Sequence, residues 1–197
     1  ASDVYKRQQK EVIKYDNAQI LAGLKDAIEG KVDVRKDEKI QQTLNSIEEK
    51  LVAAAKAKSE EQAKAAKEEG DKFRQEFAKQ EGVKTTKDGL MYKIINEGKG
   101  AAIKPTDVVK VHYTGKLADG KVFDSSVERG SPAEFKLNQV VKGWTEGLQL
   151  VKKGGKIELV LPPELAYGEQ GAGAVIPPNS TLFFEVEVLD VCLLYTS

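Results

Sequence analysis

The chemistry open to this chain is narrowed by its scarcest residues. Cys192 is the one cysteine, so no internal disulfide or cysteine-rich metal site can be assembled, and His112 is the one histidine, which cannot serve both a triad and a metal site. Trp144 is the one tryptophan, in the stretch Gln139-Val140-Val141-Lys142-Gly143-Trp144-Thr145-Glu146-Gly147-Leu148. Val140, Val141, Trp144 and Leu148 recur at spacings of one, three and four, which marks one apolar face of a helix. Gly143, beside the indole, leaves room for a close neighbour. A large ring on a short helix offers non-covalent chemistry. It either packs the core or floors an apolar pocket, with walls drawn from six tyrosines and six phenylalanines. His112 alternates with Tyr113 along a strand pattern and reads as a solvated histidine, not a base.

The elements that position these residues fall into two halves. A chain of 197 residues allows one or two domains, and 31 basic against 31 acidic residues leave no net charge and no nucleic-acid footprint. No apolar run approaches the roughly 18 residues that span a bilayer. No signal peptide is visible, and the near absence of cysteine suits the cytosol and the periplasm equally. Residues 1–8 and 192–197, with Val4-Tyr5-Lys6-Arg7-Gln8 and Cys192-Leu193-Leu194-Tyr195-Thr196-Ser197, resemble translated adapter sequence and are expected to be foreign tails.

Residues 16–80 read as helical. Asp16 and Gln19 fit a capping box, Ile20, Leu21, Leu24 and Ile28 mark a face, and Gly30 fits a C-terminal cap. A second helix starts near Asp37, where Ile40, Leu44, Ile47 and Leu51 form a seam that wants a partner helix. Apart from Ser59 and Gly70, residues 53–70 are Ala, Lys, Glu and Gln, polar all round, as in a solvated connecting helix. Phe73 and Phe77 restore an apolar stripe, and Gly70 is the expected bend. At about 1.5 Å per residue the arm from 37 to 79 reaches roughly 65 Å. Such an arm, with an unburied seam, predicts self-association; a plain solubilising spacer is the alternative.

Residues 83–191 read as strands. Leu90, Tyr92 and Ile94 alternate with Met91, Lys93 and Ile95, Val109, Val111 and Tyr113 with Lys110, His112 and Thr114, and Ile157, Leu159 and Leu161 with Lys156, Glu158 and Val160, while Leu182, Phe184, Val186 and Val188 share one face of the last strand. Asp119-Gly120 predicts a type I′ hairpin turn. Asp124-Ser125-Ser126 breaks one strand, Pro162-Pro163 ends another, and residues 133–137 form a further short one. Strands without helical crossovers make an antiparallel sheet.

Five motifs then occur in one order: Val111-His112-Tyr113-Thr114-Gly115, Asp119-Gly120-Lys121-Val122-Phe123-Asp124-Ser125-Ser126, Val141-Lys142-Gly143-Trp144, Ala166-Tyr167-Gly168 and Ile176-Pro177-Pro178-Asn179-Ser180-Thr181-Leu182. Together they resemble the FKBP family of peptidyl-prolyl cis–trans isomerases, over roughly residues 83–191. The arm, through Gln41-Gln42-Thr43-Leu44, Glu76-Phe77-Ala78-Lys79 and Gly82-Val83-Lys84-Thr85, is similar to the FkpA and macrophage infectivity potentiator subfamily, envelope isomerases of Gram-negative bacteria. The resemblance implies an α+β fold: an antiparallel half-barrel of five to six strands wrapped on one short helix, residues 83–191, behind a helical arm, residues 9–82, with one long helix. It implies a homodimer joined through N-terminal helices, a periplasmic location, and rotation of X–Pro bonds with associated chaperone activity. A non-enzymatic holdase using the same cavity is the alternative.

The site implied by the resemblance is catalytic at Tyr113, Phe123, Asp124, Trp144, Tyr167 and Phe184. It binds substrate at Arg129, Phe135, Val140, Val141, Val175 and Ile176, with no metal and no cofactor. Trp144 would floor the proline ring, and the Ile176 N–H and the Tyr167 hydroxyl would hold substrate carbonyls. Asp124 would bond Tyr113 or Arg129, or face the twisted carbonyl. Ala133 and Ala172 stand where other members carry larger side chains, which predicts a more open wall. Partners are proline-containing unfolded proteins and macrolides such as FK506.

Overall fold

The computed structural model describes residues 22, 25, 26, 29 and 38–192. The face expected at Ile20, Leu21, Leu24 and Ile28, with its caps, lies outside the described residues, as do the side chain of Ile40 and residues 1–8 and 193–197. The chain divides into two compact units, Ala1–Lys58 and Ser59–Ser197. Helix α1 runs over Glu38–Ala78.

In the first unit the seam residues Ile47 and Leu51 are half-buried, while Leu44 and Val52 are 48% and 63% exposed. No bend occurs at Gly70, which is buried inside the uninterrupted helix. A Cβ there would stand 2.8 Å from the Thr181 Cβ. Glycine serves close approach at this point, not flexibility.

In the second unit seven strands follow: β1 Val83–Thr85, β2 Met91–Asn96, β3 Val108–Leu117, β4 Val122–Ser125, β5 Ala133–Lys136, then, after helix α2 (Lys142–Gly147), β6 Lys156–Leu161 and β7 Leu182–Cys192. All pairings are antiparallel, in the order β1-β2-β6-β7-β3-β4. β5 and β4 share one edge of β3, at Val108–Val111 and Thr114–Lys116, so seven strands make a sheet six wide. Cys192, set aside with the tail, is the last residue of β7 and pairs with Val108.

The period-two patterns are realised. Val109, Val111 and Tyr113 of β3, Ile157, Leu159 and Leu161 of β6, and Leu182, Phe184, Val186 and Val188 of β7 form one buried cluster with Trp144 and Leu148. The opposite face is not wholly polar. Phe183 points there and meets Phe73 (5.9 Å, 73°) and Phe77 (6.1 Å, 69°) edge to face. Phe77 is thereby almost fully buried, which stabilises the unit by about 2–3 kcal/mol.

One local reading gains its partner and one changes. The close neighbour for which Gly143 leaves room is β6: a Cβ there would strike Leu161, and one at Gly147 would strike Leu159. The short helix therefore lies directly on the sheet. The turn at Asp119-Gly120 forms, but Gly120 has φ 86° while Asn179 is the only non-glycine with positive φ among the described residues. The Gly120 N–H donates to the Leu117 carbonyl and the Leu117 N–H to the Lys121 carbonyl, both 2.9 Å. That is a type I turn closed by a left-handed glycine, not type I′.

Candidate functional site

α2 is two turns at most and has no side-chain cap at its start. It is held instead by the Thr145 hydroxyl, which donates to the Leu137 carbonyl at 2.5 Å, and by the two glycine contacts with β6. This pins Trp144 over the buried face of the sheet. The indole is 4% exposed and is met edge to face by Tyr113 (5.2 Å, 83°), Phe135 (5.4 Å, 83°) and Phe184 (5.2 Å, 88°). Its Nε1 is buried with no hydrogen-bond partner. Above it opens a cleft of about 340 Å³, lined by Tyr113, Phe123, Asp124, Phe135, Gln139, Val140, Val141, Trp144, Tyr167 and Phe184. A space of that size holds a five-membered ring and its flanking amides.

A linked set of polar groups meets the lining at Tyr113 and Asp124. The Tyr113 hydroxyl donates to Asp124 Oδ2, Arg129 Nη1 donates to Asp124 Oδ1, and Arg129 Nη2 donates to the Tyr113 hydroxyl at 3.1 Å. Arg129 also lies over the Tyr113 ring, 5.7 Å from its centre. Burial by itself would raise the Asp124 carboxyl; the hydrogen bonds from Tyr113 and Arg129 outweigh it and hold the group below its ordinary 3.8. Burial, then the bond to Asp124, raises Tyr113 above its ordinary 10.0. Tyr113 therefore stays neutral and Asp124 ionised at any physiological pH. Of the roles left open for Asp124, the structure shows it bonded to both Tyr113 and Arg129.

Nine of the twelve residues singled out from sequence line the cleft. Arg129 does not line it but is bonded to two residues that do, Asp124 and Tyr113. Val175 does not line it and is 48% exposed on the loop beyond Tyr167. Ile176 is buried, and its N–H donates to the Ala172 carbonyl (3.1 Å) while its carbonyl accepts from the Ala172 N–H (3.0 Å). A substrate carbonyl would have to compete for a donor already engaged, so the role expected of the Ile176 N–H is withdrawn. Another donor was overlooked. Val141 lines the cleft immediately before α2, and among the described residues no acceptor meets its N–H. The first N–H groups of a helix are unpaired by geometry, which is a signal the sequence did carry. Gln139, at the exposed rim, was also overlooked.

His112 is less solvated than expected: it is half-buried, with Nδ1 3.1 Å from the Ser126 hydroxyl. It does not line the cleft. Ala133 packs against the core, and Ala172 is engaged with Ile176. Among the described residues no group of His, Cys, Asp and Glu could hold a metal ion.

The chain is similar to known proteins along most of its length. Residues 99–189 match the family model described as FKBP-type peptidyl-prolyl cis-trans isomerase, and residues 2–94 match the domain amino terminal to it. The chain is 79% identical over 182 residues to a probable FKBP-type peptidyl-prolyl cis-trans isomerase of Haemophilus influenzae, covering 92% of this chain and 76% of that one. It is 50% identical over 186 residues to FkpA of Escherichia coli K12, covering 94% and 68%. The crystal structure of FkpA from Escherichia coli superposes with a TM-score of 0.79 at 47% identity, over 96% of this chain and 89% of that one.

Proposed function

The chain belongs to the FKBP-type peptidyl-prolyl cis–trans isomerases, and from that premise we propose that the cleft over Trp144 is where the X–Pro bond turns. The observation that carries the proposal is the convergence of Tyr113, Phe135 and Phe184 on one indole, under an open cleft with no serine, threonine, cysteine, lysine or histidine in its lining. Rotation about the amide is opposed by about 18–20 kcal/mol of resonance. Twisting removes the resonance and leaves the amide less dipolar. A dry aromatic cleft solvates the planar, strongly dipolar amide poorly and the twisted one less so, and that difference lowers the barrier. Each tenfold in rate requires about 1.4 kcal/mol of such difference.

Trp144 supports the proline ring from below; Phe123, Phe135 and Phe184 enclose it. The Val141 N–H holds a substrate carbonyl, and the Tyr167 hydroxyl, at the mouth, holds a second. Asp124, with both oxygens engaged, fixes the Tyr113 ring and Arg129.

The Val141 assignment has a direct test. Val141 has φ −58° and the preceding Val140 has φ −102°, ψ 174°. Proline accepts that φ and that predecessor without strain. Val141→Pro therefore deletes one N–H and leaves the path of the chain. It should lower kcat/KM on a proline tetrapeptide by about tenfold, the worth of one hydrogen bond. Unchanged turnover would remove the donor from the mechanism.

Residues 9–82 form the arm and residues 83–191 the isomerase domain in this reading. Exposed Leu44 and Val52 on α1 favour a second role: the arm pairs with another copy and holds unfolded clients. The resemblance to envelope isomerases supports work in the periplasm on proline-containing, folding proteins, and inhibition by macrolides such as FK506.

A further inference from the structure

Gly115 lies inside β3, opposite Phe184 of β7 on one side and Asp124 of β4 on the other. Glycine weakens a strand interior, and the φ of Gly115 is not positive, so no turn conformation calls for it. Space does. A Cβ at Gly115 would stand 2.6 Å from Phe123 Cζ and 2.8 Å from Phe184 Cε1, closer than carbon atoms approach. Phe123 reaches that spot through a bulge: Gly115 pairs with Asp124 and Lys116 with Val122, which leaves Phe123 as the extra residue. The two rings meet edge to face over the missing methyl, 5.5 Å apart at 89°. Phe184 then abuts Trp144 at 5.2 Å.

We infer that Gly115 is a positioning residue of the cleft: by lacking a Cβ it sets how far the Phe123–Phe184 wall stands back from Trp144. It touches no substrate itself. A methyl at this position pushes both rings toward the indole and narrows the space for the proline ring. The inference rests on the reading of the cleft as the site of X–Pro rotation. Narrowing opposes entry of the planar and the twisted amide alike, so its effect falls on KM and not on kcat.

The test is the isomerisation kinetics of four forms: the unaltered chain, Gly115→Ala, Phe123→Leu, and the double variant. Gly115→Ala should raise KM about tenfold, as overpacking of one methyl does, with kcat within about twofold. Phe123→Leu alone should lower kcat/KM, because it removes a wall. The double variant should nevertheless exceed Gly115→Ala in kcat/KM, since leucine lacks the Cζ and Cε2 that the methyl strikes. A purely structural glycine makes the two losses multiply. Multiplying losses, or a folded Gly115→Ala with unchanged KM, would overturn the inference while leaving the Phe123 effect in place. If Phe123→Leu alone changes nothing, the reading of the cleft fails and the inference with it. Should Gly115→Ala not fold, recovery of a native near-ultraviolet spectrum in the double variant supports the inference, and no recovery overturns it.

Discussion

Phe123 and Tyr167 enclose the cleft from two different segments and are its most expendable walls for the fold: neither is fully buried, and Tyr167 is 42% exposed. Phe123→Ala and Tyr167→Ala should each lower kcat/KM on a proline tetrapeptide by about tenfold or more, with an unchanged far-ultraviolet spectrum. Native rates in both would unseat the assignment. Asp124 carries a pH signature. Its folded value is below the ordinary 3.8, so it contributes stability that is present above that value and lost as pH falls through the lowered one. The gap in urea midpoint between the unaltered chain and Asp124→Asn should be largest above a pH of about 4 and close below it. A gap that is flat with pH would mean that the links to Tyr113 and Arg129 do not hold the carboxylate in solution. The aromatic residues were legible in sequence because their types and order are distinctive. The carbonyl donor proposed at Val141 was signalled too, by its place just ahead of a helix, but went unread. Ile176 spends its N–H on Ala172, across a loop whose closure no spacing announces.

Among the elements, β3, β6 and β7 were readable from alternation alone, because one face of each is buried. α1 was readable as a long helix, and Phe73 and Phe77 as its apolar stripe. What the stripe packs against was hidden, since Phe183 occupies a face that alternation assigns to solvent. Gly70 was misread for the same reason: in a solvated helix a glycine is a weak point, whereas here it admits Thr181. The two readings differ in sign. In an exposed helix Gly70→Ala would gain about 1 kcal/mol. Against Thr181 it should lose about 1–3 kcal/mol through overpacking, seen as a lower urea midpoint. A higher midpoint would return Gly70 to the solvated reading.

At the scale of the whole molecule, the compact units divide between Lys58 and Ser59, inside α1, while sequence composition divides the chain near residue 83. Packing accounts for the difference, because the end of α1 serves Phe183. A chain of residues 59–197 should therefore keep the urea midpoint of the sheet unit and isomerise tetrapeptides at the full rate. Residues 83–197 should retain turnover but unfold at lower urea, with Phe183 uncovered. With the arm pairing two copies as proposed, both should protect an aggregating client less well than the whole chain, since two linked clefts give a higher effective concentration than one. Equal protection by the trimmed forms would reduce the arm to a spacer. The central claim, that the cleft over Trp144 is the place of catalysis, has one most direct test. FK506 carries a ring that mimics proline, and Trp144 is the only indole in the chain. Titrating FK506 while following indole fluorescence and tetrapeptide isomerisation in the same samples should give two coincident curves. Full turnover persisting after the indole signal has saturated would contradict the account.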